Sequence, residues 1–193
     1  MKSVAVLSFL LCLAVVAPAQ DRSRAAAMRK ELENVAHVAT VMVDGDVCQN
    51  IVTPAAREYM FKVDPKNPYQ AGDNYDVDDA SFNSVKKTLI RLSRLTTFPS
   101  DVNLWMPIEG HPDKIGIVIR NRHEMSQFWH WGDLYQEMVP QMATVLKTGK
   151  VVTVTDDSGW ISALAPVYNS LGDIVGVVEA VSRVSVDAHE NVK

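Results

Sequence analysis

Cysteine is almost absent from this 193-residue chain, which carries only Cys12 and Cys48. Cys12 lies inside an N-terminal apolar run, so removal of that run leaves Cys48 alone. One cysteine closes no internal disulfide, and stability must come from packing. Cys48 then reads as a small buried apolar residue. No Cys-x-x-Cys-His occurs, which excludes covalently attached c-type haem. After the N-terminal run no apolar stretch approaches the roughly 20 residues that cross a bilayer, so nothing beyond it is expected to carry a signal through a membrane. Basic stripes are missing too. Nineteen Lys and Arg stand against 23 Asp and Glu, a net charge of −4, which makes nucleic acid and anionic membranes poor partners.

Signatures of catalysis are also lacking. There is no Gly-x-Ser-x-Gly elbow, no His-Glu-x-x-His, no phosphate loop and no dinucleotide fingerprint, so the chain is read as a non-enzyme without cofactor. The histidines, His37, His111, His123, His130 and His189, form no i, i+4 pair for a metal. Asp73, Asp76, Asp78 and Asp79 lack the ligand order of an EF-hand and read as a solvated acidic loop.

What is present begins with Met1-Lys2-Ser3, an apolar run from Val4 to Val16, and Ala17-Pro18-Ala19. A basic start, a short apolar core and small residues at the recognition positions describe a signal peptide over 1–19, cut after Ala19. The remainder, 20–193, is long enough for one domain with its own core. The location implied is periplasmic or secreted; the alternative is an uncleaved anchor.

Apolar residues at helical spacing predict a long helix from Ser23 to about Val43, through Met28, Leu32, Val35, Val38 or Ala39, and Met42. Asp44-Gly45-Asp46 would end it, with Gly45 as a left-handed cap. Thr53-Pro54 opens a short helix through Phe61. Residues 63–80 are polar, turn-rich and read as a surface loop. A third helix follows over 81–95, capped by Asp79 or Ser81, with Lys86, Lys87, Arg91 and Arg94 on a solvated face. Strand-like runs cover 102–106 and 114–120, Pro140 to Gly149 is helical, and three further strands occupy 151–155, 160–168 and 174–181. Gly159 and Gly172 supply the reversals, while Pro166 belongs at an edge or strand end.

Asp-x-x-Gly-Trp-x-Ser-Ala-x-Ala-Pro at 156–166, Ile-Val-Gly-Val-Val at 174–178 and the turn in Met-Val-Asp-Gly-Asp-Val-Cys-Gln-Asn-Ile at 42–51 carry a resemblance. Together they resemble a Cache domain, the PAS-like extracytoplasmic sensor module of bacterial signal-transduction proteins, over about 26–184. The resemblance implies an α+β, PAS-like fold with a long N-terminal helix and a five-stranded antiparallel sheet in the order 2-1-5-4-3. It also implies a small-molecule ligand such as a carboxylate or amino acid, a homodimer through the N-terminal helix, and a membrane sensor partner that relays the signal.

Candidate ligand contacts gather between the second and third strands. Phe128, Trp129, Trp131 and Tyr135 interleave with His123 and His130, and rigid aromatics in a loop offer contact area at small entropic cost. Their plain alternative is to plug the loop onto the sheet. In 160–166, Trp160 and Ser162 share one face and suit a pocket, while Ile161 and Ala163 suit the core. Trp105 lines the pocket by resemblance. Arg120 and Arg122 end the second strand, where a guanidinium can pair with a ligand carboxylate. The resemblance implies an acidic residue near Arg120 that this chain lacks, and hence a more acidic ligand. Two rivals stand beside the sensory reading. One is a structural or interaction protein whose pocket is filled by its own side chains; the other is a hydrolase built on Asp156, Asp157, His123 and His130.

Overall fold

Val16–Met42 forms α1, the longest element. Its buried row is Met28, Leu32, Val35, Ala36 and Ala39, continued by Val43 just past its end, whereas Val38 and Met42 are exposed. The periodicity left Val38 and Ala39 as alternatives; a 3.6-residue repeat anchored on Met28 and Leu32 reaches Ala39 and Val43. The computed structural model describes residues 16–62, 77–130 and 133–184. The expected leader lies outside them apart from 16–19, which begin α1, and most of the acidic loop and Trp131 also lie outside. Among the described residues no helix is long and apolar enough to cross a membrane.

Gly45 does not cap α1. Asp44 instead caps a new helix, α2 (Gly45–Gln49), its carboxylate accepting from the amides of Asp46 at 2.9 Å and Val47 at 3.2 Å. Glycine is needed there for contact: an added Cβ would lie 2.3 Å from the Tyr168 carbonyl oxygen. Thr53 caps α3 (Pro54–Met60) through the Ala56 amide. Asp78, one residue before the expected cap, holds the Ser81 amide at 2.8 Å and starts α4 (Asp79–Leu92), which runs into a 3-10 turn at Ser93–Leu95.

The sheet contains β1 (Asp101–Ile108), β2 (His111–Ile119), β3 (Gln136–Glu137), β4 (Val152–Thr155), β5 (Trp160–Tyr168) and β6 (Ile174–Arg183). A helix, α5 (Pro140–Thr148), lies between β3 and β4 and ends at left-handed Gly149. The order is β3-β2-β1-β6-β5-β4, antiparallel throughout. Six strands replace the five expected: Gln136 and Glu137 pair with Ile115 and Lys114, too short a run to stand out in sequence. The other five are ordered as expected. The β1–β2 turn is tighter than expected, closing at Glu109-Gly110 so that His111, Pro112 and Asp113 belong to β2. Pro166 pairs with Val177, while β4 meets β5 only as far as Leu164, so its missing amide lies where β5 overshoots its outer neighbour.

The fold class is α+β: α1, α2 and α4 cover one face of a curled sheet, and α5 with the 121–130 loop covers the other. Ile161, Ala163 and Ala165 of β5 and Val178 and Ala180 of β6 pack beneath α1. Leu164, Val177 and Trp105 pack with Met142, Val145, Phe128 and Trp129. The alternation read from 160–166 therefore holds.

Candidate functional site

The middle of the sheet places one carboxyl where none is expected. Glu179 sits on β6 directly between Asn103 of β1 and Leu164 of β5, and is fully buried. Four donors converge on it. Trp105 Nε1 at 3.0 Å, Asn103 Nδ2 at 3.3 Å and Ser126 Oγ at 2.8 Å donate to Oε2; Ser162 Oγ donates to Oε1 at 2.8 Å. Burial pushes the Glu179 carboxyl above its ordinary range, and these hydrogen bonds pull in the opposite direction.

The same polar row holds the loop. Asp101, also fully buried, accepts the amides of His123 at 3.2 Å and Met125 at 2.8 Å. Asn103 donates to the Met125 carbonyl at 2.7 Å and accepts the Asn121 amide at 3.0 Å. Ser126 Oγ accepts from the amides of Phe128 and Trp129. Asp101 and Asn103 of β1 and Glu179 of β6 thus form a polar floor to which residues 121–130 are tied.

At the edge of that loop lies a cleft of about 290 Å³, near the lower end of the usual size for small-molecule sites. Trp129 and Phe82 give it aromatic surface, Lys86 and Arg120 supply positive charge, and Glu124 and Asp133 supply negative charge. The Arg120 guanidinium lies over the Trp129 ring, 4.0 Å from its centroid, an arrangement in which the in-plane N–H groups of a guanidinium point away from the ring toward any neighbouring anion. Its Nη1 is 3.8 Å from Glu124 Oε2, so this chain does have an acidic neighbour to Arg120. Glu124 is the only non-glycine residue among those described with a positive φ, at 55°, a conformation that costs on the order of 1 kcal/mol. Lys86 Nζ donates to the Arg120 carbonyl oxygen. Burial first, and then the neighbouring Arg120 charge, hold the Lys86 ammonium below its usual range.

Of the candidate ligand contacts, Arg120 and Trp129 are brought together in this cleft. Trp105 and Ser162 face the same side of the sheet but meet Glu179 and do not line the cleft. His123 turns to Asp101, with Nδ1 3.2 Å from Oδ1, and His130 lies exposed with Nδ1 3.8 Å from Asp133. Tyr135 packs against Phe61, which in turn stacks on His111. Trp160 lies beneath Arg183, and Arg122 is exposed. Asp156 caps its own turn through the amides of Ser158 and Trp160. Trp105 and Ser162 are legible in the sequence as pocket-side residues, whereas Lys86, Glu124, Asp133, Glu179, Asn103 and Ser126 are not. Charge alone puts Lys86 on a solvated face, although Phe82 stands one turn earlier on the same helix and lines the same cleft. Glu179 did leave a signal: a lone acid within Val-Val-Glu-Ala-Val must find donors or hold a proton.

Comparison of the chain with protein-family models and with curated proteins returns no match.

Proposed function

We propose that this chain is an exported Cache-type, PAS-like sensory domain that binds a small carboxylate or amino acid and transmits its state through a partner protein. What supports this reading is the Arg120 guanidinium stacked on Trp129 within a cleft that also holds Lys86. A ligand carboxylate would take the guanidinium edge in place of the Glu124 pairing, and Lys86 would add the second positive charge. Glu124 and Asp133 are then available to an ammonium group, which favours amino acids among carboxylates. Binding would shift the population of the 121–130 loop toward the closed state and alter the packing of the sheet against α1.

The test is a thermal-shift screen of organic acids and amino acids. A carboxylate that raises the melting temperature should lose that effect in Arg120→Ala. Equal shifts in variant and parent would reject the assignment.

The homodimer through α1 is part of the same proposal. It is supported by Val38, Val41 and Met42, which leave an apolar strip exposed on the helix face turned from the sheet. Val41→Glu should convert a dimer into a monomer in sedimentation; an unchanged distribution removes α1 from the interface.

A second reading, a structural or interaction protein with no ligand, is favoured by a different observation. Trp105, Ser162, Ser126 and Asn103 already satisfy Glu179, and the loop amides of His123 and Met125 satisfy Asp101, so both buried carboxyls on the loop-facing side are occupied. Native mass spectrometry separates the two readings: a co-purifying small molecule supports binding, and an empty protein that no acid stabilises supports the structural role.

A further inference from the structure

We infer that Glu179 is the positioning residue of the cleft: closure of the 121–130 loop onto the sheet, which places Trp129 under Arg120, is coupled to the uptake of one proton by this carboxyl. Its consequence for a ligand rests on the binding reading above, whereas the coupling itself is a property of the empty protein.

The donor arrangement defines where that proton goes. Trp105 Nε1 can only donate. Asn103 has its amide fixed from both ends, by the Met125 carbonyl and the Asn121 amide, so Nδ2 faces Glu179. Ser126 Oγ already accepts from the amides of Phe128 at 3.1 Å and Trp129 at 3.3 Å, so its own hydrogen points to Oε2. Oε2 therefore receives three donors and has no room for a proton. Oε1 meets only the Ser162 hydroxyl at 2.8 Å, which can reverse and accept. The charged and the neutral carboxyl both fit the cluster.

Among the described residues no ion pair reaches Glu179. On β1 the titratable group of this face is Asp101, which is occupied by the amides of His123 and Met125 and by the His123 ring. The loop contributes His123 and Glu124, while α5 and β4 turn Met142, Val145, Val152 and Val154 to this side. Lys86 and Arg120 belong to the cleft. An open loop lets water reach Glu179, whose carboxyl then titrates in its ordinary range. A closed loop buries it and pushes it up. The closed state thus binds the proton more tightly, so closure is favoured as pH falls and weakens as pH rises toward the closed-state pKa. Within that window each pH unit changes the open-to-closed ratio about tenfold.

Amide hydrogen exchange on the intact, ligand-free protein, corrected for intrinsic rates, reads this directly at Met125, Phe128 and Trp129. In the parent, protection should fall up to about tenfold per pH unit above the ordinary carboxylate range and then level off. Glu179→Gln should keep the protection and lose the slope, because its carboxamide oxygen accepts the same three donors and its NH2 donates to Ser162. Ser126→Ala should release Phe128 and Trp129 while Met125, held by Asp101, stays protected. A flat parent profile, or a Glu179→Gln profile that follows the parent, overturns the inference. So does loss of the slope in His123→Ala, which would put the proton on the histidine. Melting shifts with succinate and L-glutamate form a separate arm: if neither acid acts, the binding reading is in question while the exchange result stands on its own.

Discussion

Ionising a carboxyl that has lost its water and has no cation beside it costs several kcal/mol, which four good donors offset only in part. Glu179 is in that position, and its effect on global stability has a definite sign. The folded-state pKa is raised by burial, so the folded chain holds this proton more tightly than the unfolded chain. The contribution is full below the unfolded carboxylate value, about 4.3, and is lost as pH rises through the folded value. Denaturant titrations across that range should show parent stability falling with pH relative to Glu179→Gln; parallel curves would contradict it. Cys48 shows the same physics without a partner network: burial, followed by the nearby Asp44 charge, pushes its thiol up to about 12 and makes it unreactive at neutral pH. Its burial is the placement the sequence implied. The convergence of the donors on Glu179 was not legible, because Asn103, Ser126 and Ser162 are far apart in the chain and meet only when β1, β5 and β6 align and the 121–130 loop folds over them.

Among elements, the short helix α2 shows how a local signal can be read correctly and placed wrongly. Asp-Gly-Asp does mark the end of α1, yet its glycine serves a contact 123 residues along the chain, counted from Gly45 to Tyr168. Gly45→Ala would drive a methyl group into backbone and should destabilise by about 1–3 kcal/mol, the range for overpacking a closed site. Urea unfolding measures this, and a change under about 0.5 kcal/mol would show that α2 can shift away from the β5–β6 turn. Helix starts at Thr53-Pro54 and Pro140 and the stop at Gly149 were legible, because caps and proline act through nearest neighbours. The two-residue strand β3 was not, since its pairing is set by where the loop returns to β2.

For the whole molecule, the sheet is buried on both faces, and its two layers should unfold as one. Leu32 packs against the helical face and Leu164 against the loop-side face, both fully buried. Leu32→Ala and Leu164→Ala should each cost about 2–5 kcal/mol. Each should lower the same single transition seen by circular dichroism and by tryptophan fluorescence; two separated transitions would mean that the layers are independent.

The sequence by itself determined the α+β class, the helix starts at Pro54 and Pro140, five of the six strands and the two faces of β5. Those properties depend on periodicity, capping and turn chemistry, which operate over a few residues. Tertiary structure alone decided that Glu179 gathers four donors, that Arg120 stacks on Trp129 beside Lys86, and that Gly45 must lack a side chain. Each of these arises from residues that meet only across strands or between layers, where proximity is set by sheet register and packing.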